Sequence, residues 1–191
     1  MKGFIIYPTY KIINNIPYIC LYGRLENDQS FLTLNEFKPY FFIKEKDSRS
    51  IKNINKEKTS FKDFNGNPVA KIIVNIPSDV PKLREKLEDK DIECYEADIK
   101  FVYRFLIDNN LQGSIDIEGD YESNEEIDRI YKNPEITPVK YYPNLNVASI
   151  DIETNKEHDQ LYCIGIYSDK IKKVLMVSQE INSSYISCKN E

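Results

Sequence analysis

Ser149-Ile150-Asp151-Ile152-Glu153-Thr154, followed after a short gap by Leu161-Tyr162-Cys163-Ile164-Gly165-Ile166, is the stretch on which the reading of this chain turns. Polar and apolar residues alternate through the first segment, the period of a strand with one face turned to a core. On such a strand Asp151 and Glu153 project to the same side, and Ile152 is expected to point into the core. Two neighbouring carboxylates repel unless a cation lies between them, and an all-oxygen pair suits Mg2+ or Mn2+. In nucleases two such ions stabilise the attacking and leaving oxygens of a phosphodiester.

The chain supplies its own control, because Ser-Ile-Asp-Ile-Glu occurs at 114–118 as well as at 149–153. The flanks do not match, so this is no wider repeat. The first copy runs into Gly119-Asp120 and an acidic segment, where its carboxylates read as solvated strand residues. Spacing alone leaves the second copy open both to a metal site and to an ordinary strand.

Working outward, Val147 to Thr154, Leu161 to Tyr167 and Ile171 to Val177 read as an antiparallel meander, and residues 178–191 show little periodicity. A three-stranded sheet with no helix to cover it makes a poor domain, so this second domain is expected to be cut short. Between Asp116 and Asp128 there are seven acids and no base, and Pro134, Pro138 and Pro143 follow; both features point to a connector without regular elements. The expected organisation is a domain over residues 1–133, a linker over 134–146 and the start of another domain over 147–191.

The first domain reads as α+β. Gly3 to Tyr10, Pro17 to Leu25 and Ser30 to Leu34 are rich in β-branched and aromatic residues, with turns at Asn14-Asn15 and Glu26-Asn27-Asp28. Pro39 to Ile43 and Val69 to Ile76 read as further strands. They are separated by a basic, mobile segment and a turn at Asn65-Gly66-Asn67-Pro68. Ser78 and Pro81 open a helix reaching Lys90 whose Val80, Leu83 and Leu87 share a face. After a short strand from Ile92 to Tyr95, Asp98 reads as the cap of a second helix with Ile99, Val102, Phe105 and Leu106 inward. The expected architecture is a mixed β-sheet with packed helices.

With 41% hydrophobic residues the chain can bury a sizeable core. Its net charge of −5 does not mark a general nucleic-acid binder. From Lys38 to Lys62, however, eight Lys or Arg face three acids, a stretch that either meets phosphates or forms a solvated loop. The four cysteines lack CxxC spacing and His158 is the only histidine, which argues against zinc. No apolar run reaches membrane-span length, and the N-terminal run Phe4 to Tyr7 is too short for a signal peptide. The expected setting is cytoplasmic and soluble, with no membrane.

In context, residues 149–154 and 161–166 resemble the first exonuclease motif of family B DNA polymerases, in the form most like bacterial DNA polymerase II. Tyr95-Glu96-Ala97-Asp98-Ile99 and Arg104-Phe105-Leu106-Ile107-Asp108 resemble the segment closing the N-terminal domain in archaeal and bacterial members. Lys38-Pro39-Tyr40-Phe41 and Pro77-Ser78-Asp79-Val80-Pro81 fall in the same order. The resemblance reaches to about residue 177. It implies an N-terminal domain followed by the first strands of an RNase H-like 3′→5′ exonuclease, with Asp151 and Glu153 as catalytic metal ligands for Mg2+ or Mn2+. It further implies single-stranded template and primer-template DNA as partners, together with the remainder of the polymerase chain. The second and third exonuclease motifs and the polymerase motifs have no counterpart before Glu191, so the 191 residues alone are expected neither to cut nor to synthesise DNA.

Archaeal members sense template uracil in a pocket of this domain. The matching positions are Tyr7, Pro39, Tyr40, Pro77, Val80 and Phe101, with Arg104 steadying nearby backbone. Ala97 departs from the archaeal pattern, which has an aromatic there, and Tyr40, Val80 and Phe101 read equally as core residues between helix and sheet. Two other readings are a naturally short, non-catalytic module binding nucleic acid or a replication partner, and a stand-alone exonuclease. The second would need acidic motifs that the chain lacks.

Overall fold

The computed structural model describes residues 1–179 and 183–189 and divides into two compact units, Met1–Pro143 and Asn144–Glu191. In the first unit the chain runs β1 (Lys2–Ile13), β2 (Ile16–Leu25), β3 (Ser30–Glu36), β4 (Tyr40–Lys44), α1 (Glu45–Ser48), β5 (Asn55–Lys62) and β6 (Pro68–Ile73). It continues through α2 (Asp79–Glu88), β7 (Cys94–Tyr95), α3 (Phe101–Asp108), β8 (Ser114–Glu118), β9 (Tyr121–Glu122), β10 (Arg129–Lys132) and β11 (Glu135–Pro138). These strands form two sheets, one ordered β11-β8-β1-β2-β3-β10-β9 and the other β5-β6-β4-β7.

Asn14 and Asn15, at φ 50° and 63°, make a two-residue turn that pairs Ile13 with Ile16. Asparagine tolerates this left-handed backbone, and the turn's twist matches that of the strands it joins. Gly23 has a steric reason of its own, since a Cβ there would lie 2.0 Å from the Phe4 carbonyl oxygen and 2.5 Å from the Phe31 ring. Strand β1 is irregular between Ile5 and Tyr7. Without that bulge Tyr7 would share the buried face of Ile5; with it, Tyr7 is turned to the surface, 61% exposed.

The larger sheet packs Ile5, Ile19, Leu21, Phe31, Ile115 and Tyr131 against Phe101 and Phe105 of α3. The smaller sheet packs Phe41, Ile43 and Ile72 against Leu87 of α2, with Val80 and Leu83 partly buried beside it. Both helices were expected, and so was the inward face of α2. Asp98, however, does not cap α3: the helix begins at Phe101, Lys100 occupies the N-cap position, and no side chain caps it. The segment expected to be mobile instead holds α1 and β5, which pairs with β6.

The acidic stretch and the start of the expected linker also carry strands. Strand β10 lies parallel to β3, and β11 pairs with β8 at the sheet edge. Ser30 donates through its backbone N–H and its hydroxyl to the Asp128 carboxylate, each at 2.7 Å, so one of those acids closes a sheet contact.

The second unit contains β12 (Ala148–Thr154), β13 (Leu161–Ser168), β14 (Lys172–Val177) and β15 (Ile186–Cys188), in that order across one sheet. The first three form the expected antiparallel meander, and β15 adds parallel to β14. Ile150, Ile152, Ile164 and Leu175 share one face by register. The expectation of a buried Ile152 fails, because it is 58% exposed. Its direction follows the strand period, but no helix of the second unit covers that face among the described residues. No described helix is long and apolar enough to cross a membrane.

Candidate functional site

Strand β12 places Asp151 opposite Gly165 and Glu153 opposite Cys163, on one face of the sheet, and both acids are exposed. Gly165 has no side chain to fill the space beside Asp151. A cavity of about 380 Å3 opens there, lined by Ser149, Asp151, Gly165, Tyr167, Lys172 and Val174 among others. Glu153 lies outside that lining. Carboxylate oxygens are the right donors for Mg2+ or Mn2+. Among the described residues, however, no group of three or more His, Cys, Asp or Glu comes together. The pair fits such an ion in kind but supplies only two donors side by side.

The control copy behaves differently. On β8, Ile115 and Ile117 are buried in the larger core, and Asp116 contacts the N-terminal ammonium of Met1 at 2.7 Å. That ammonium holds the Asp116 carboxyl below its usual range. The same pentapeptide thus contributes a neutralised structural acid in one place and an open carboxylate pair in the other.

In the first unit, chain segments far apart in sequence converge. Pro39, Tyr40, Pro77, Val80, Phe101 and Arg104 line one cavity of about 230 Å3, joined by Pro81, Ala97, Ile99 and Lys100. Tyr7 is not among them. It lines an adjoining cavity of about 530 Å3 that shares Pro77, Lys100 and Phe101 with the first. Tyr40 and Phe101, each 9% exposed, are at once core residues and cavity wall.

Charge is held tightly around Tyr40. Its hydroxyl donates to the Asp108 carboxylate at 2.6 and 2.8 Å, and Lys71 Nζ sits 4.0 Å from the ring centroid. The Arg104 guanidinium lies 4.9 Å from the same centroid. Burial, then the hydrogen bond to Asp108, push the Tyr40 hydroxyl well above the ordinary phenol range. Arg104 was expected to steady backbone. Instead its Nη2 donates to the Glu96 carboxylate at 2.6 Å, because a guanidinium only 6% exposed requires a counter-charge. Its Nε is buried without a partner among the described residues. Asp108 and Glu96 therefore belong to the site, and the pattern of apolar residues gave no sign of them. Tyr103 and Tyr10, which line the adjoining cavity, were missed for the same reason.

The sequence signature described as DNA polymerase family B, exonuclease domain matches residues 92–189, about half of the chain. The chain belongs to the family B DNA polymerases. This polymerase-family chain is 29% identical over 122 residues to DNA polymerase II of Escherichia coli, covering 63% of the chain and 15% of that relative. It is 30% identical over 204 residues to a DNA polymerase of Methanocaldococcus jannaschii, covering 96% of the chain and 12% of that relative. Its fold matches the family B DNA polymerase of Pyrobaculum calidifontis with a TM-score of 0.71 at 21% identity, over 96% of the chain and 28% of that structure. The family segment thus spans a small fraction of the length of these relatives.

Proposed function

We propose that this chain is the N-terminal part of a DNA-directed DNA polymerase with 3′→5′ exonuclease activity. In this reading its first unit binds single-stranded template and accepts a template uracil. The observation that carries the reading is the convergence of Pro39, Tyr40, Pro77, Val80, Phe101 and Arg104 on one cavity. At about 230 Å3 it is smaller than the roughly 300–1,000 Å3 sites that take drug-sized ligands, which suits a single base. Extruding that base from a single strand costs little, since there is no pairing to break. In this reading the apolar wall of Pro77, Val80 and Phe101 selects by shape against the extra methyl group of thymine. Discrimination of one such group is worth about 10- to 200-fold.

In the second unit, Asp151 and Glu153 hold divalent metal for an RNase H-like exonuclease domain, and the remainder of the polymerase supplies the other ligands. The metal, Mg2+ or Mn2+, provides the positive charge that stabilises the attacking and leaving oxygens of the scissile phosphodiester. The pair lies on an exposed strand face, with Asp151 beside the open side of Gly165.

The test is fluorescence anisotropy of the 191-residue chain with two single-stranded oligonucleotides differing by one uracil for thymine, at two salt concentrations. A uracil preference that survives high salt supports the cavity as the reading site, because phosphate contacts alone weaken steeply with salt. Equal affinity for both oligonucleotides refutes uracil reading. Absence of binding refutes the template role of the unit.

A further inference from the structure

We infer that the cavity beside the Tyr40 pocket is a second nucleotide site, which stacks the base adjacent to the one in the pocket and holds its phosphate. The inference rests on the template-binding reading above. Tyr7, Tyr10 and Tyr103 line this cavity and are 61%, 43% and 53% exposed. Clustered, exposed aromatics are what sequence-tolerant single-strand binding uses, because every base has a face to stack. Tyr10 is set edge-on against buried Phe101, with ring centroids 5.4 Å apart, so the shelf is anchored to the core.

The cationic element is Lys100. Its Nζ lies 6.0 Å from the Tyr103 ring centroid, and the residue lines both cavities. It also occupies the N-cap position of α3, whose first turn has no acidic residue and no side-chain cap. The first amide N–H groups of a helix lack intrahelical partners and favour anions. None of the residues lining the second cavity is acidic. In a chain of net charge −5, a polyanion finds a cavity without an acidic lining here.

The two cavities share Pro77, Lys100 and Phe101, so they adjoin at the N-terminal end of α3. A strand with one base in the Tyr40 cavity must place the next nucleotide near this rim. The bulge that turns Tyr7 outward therefore has a purpose: it completes the shelf. It also explains why Tyr7 falls outside the pocket that holds the other six expected residues.

The experiment uses the 191-residue chain, anisotropy of single-stranded oligonucleotides with a central uracil or thymine, and probes abasic at one position flanking the uracil. Tyr103→Ala should weaken binding of the uracil strand by about fivefold or more, the loss of one base–aromatic stack, while the uracil-to-thymine ratio stays constant. Tyr103→Phe should bind as the parent does. An abasic site on one side of the uracil should weaken the parent to a similar degree yet leave Tyr103→Ala unchanged, because the partner of that base is already gone. Lys100→Gln should lower the slope of log affinity against log salt by about 0.7, the contribution of one phosphate contact on a single strand. Unchanged thermal melting of each variant excludes misfolding.

Parent-like binding by both Tyr103→Ala and Lys100→Gln, with uracil preference intact, overturns the shelf and leaves the pocket standing. Loss of uracil preference in the parent with Tyr103→Ala still weakened sinks the pocket and keeps the shelf. A parent chain that binds no single strand refutes both.

Discussion

Replacing Tyr40 with phenylalanine isolates a single oxygen. The ring, and with it the contacts to Lys71 and Arg104, is retained, while the hydroxyl that donates to Asp108 at 2.6 and 2.8 Å is removed. A hydrogen bond to a charged acceptor contributes about 1.5–3 kcal/mol. Asp108 is 28% exposed at its side chain and keeps Arg104 at 4.0 Å, so its carboxylate is partly rehydrated in the variant. The expected cost at pH 7 is therefore at the low end, about 1.5 kcal/mol. The difference should shrink in alkali. Burial and the Asp108 hydrogen bond raise the folded Tyr40 hydroxyl well above the ordinary phenol range. A group raised in the folded state contributes stability that is complete below its unfolded pKa, near 10 for tyrosine, and is lost as pH rises above it. The parent should thus lose about 1 kcal/mol between pH 10 and pH 11 that the phenylalanine variant does not lose. Other tyrosines cancel in the comparison. Urea unfolding followed by near-ultraviolet circular dichroism, for both proteins from pH 7 to pH 11, measures this directly. A gap that stays constant to pH 11, or a variant as stable as the parent at pH 7, refutes the account of a buried, carboxylate-bound hydroxyl.

Further outcomes follow from the core and from β12. Gly23→Ala should cost about 3 kcal/mol or more, because the added Cβ meets the Phe4 carbonyl oxygen and the Phe31 ring; a parent-like melting temperature would contradict the close approach of β1 and β2. Phe105→Ala removes a side chain 7% exposed in the larger core, and should cost about 3–5 kcal/mol, read as a lower urea midpoint. The double substitution Asp151→Ala with Glu153→Ala should leave the melting of the first unit unchanged and abolish exonuclease activity in the full-length polymerase. Retained hydrolysis of a 3′ end by that variant would remove the two acids from the catalytic site.

The hairpins and both longer helices were legible because their signals are local. Asn14-Asn15 specifies its turn by backbone preference, and the three- and four-residue spacing of Val80, Leu83 and Leu87 specifies a face. Strands β10 and β11 were not legible. Arg129–Lys132 is too short to show alternation, and its place is decided by β3, a distant partner. Pro138 suggested a break, yet a proline is tolerated at the end of an edge strand, where β11 lies.

Ile152 shows the other limit. Ser-Ile-Asp-Ile-Glu has the same period in both copies, but burial depends on whether another layer covers the sheet, and that is decided elsewhere in the chain. The cavity residues were found through family resemblance alone, since no local pattern joins Pro39 to Arg104. The separation of Tyr7 from the other six came from a bulge that its neighbours in sequence do not announce.

The order of strands in the larger sheet also sets a timetable for synthesis. Strands β1, β2 and β3 leave the ribosome as a ready meander before β8 and β10, which close its outer edges. The Ser30–Asp128 contact joins residues 98 apart, an interval of about 5–20 s at the usual 5–20 residues per second of translation. Until β8 arrives the β1 edge, and until β10 arrives the β3 edge, offers unpaired backbone groups to any neighbouring strand. Nascent chains stalled before β10 should therefore be the species most prone to aggregate. A shortened version of the first unit should remain soluble only if it extends through β11, which covers the outer side of β8.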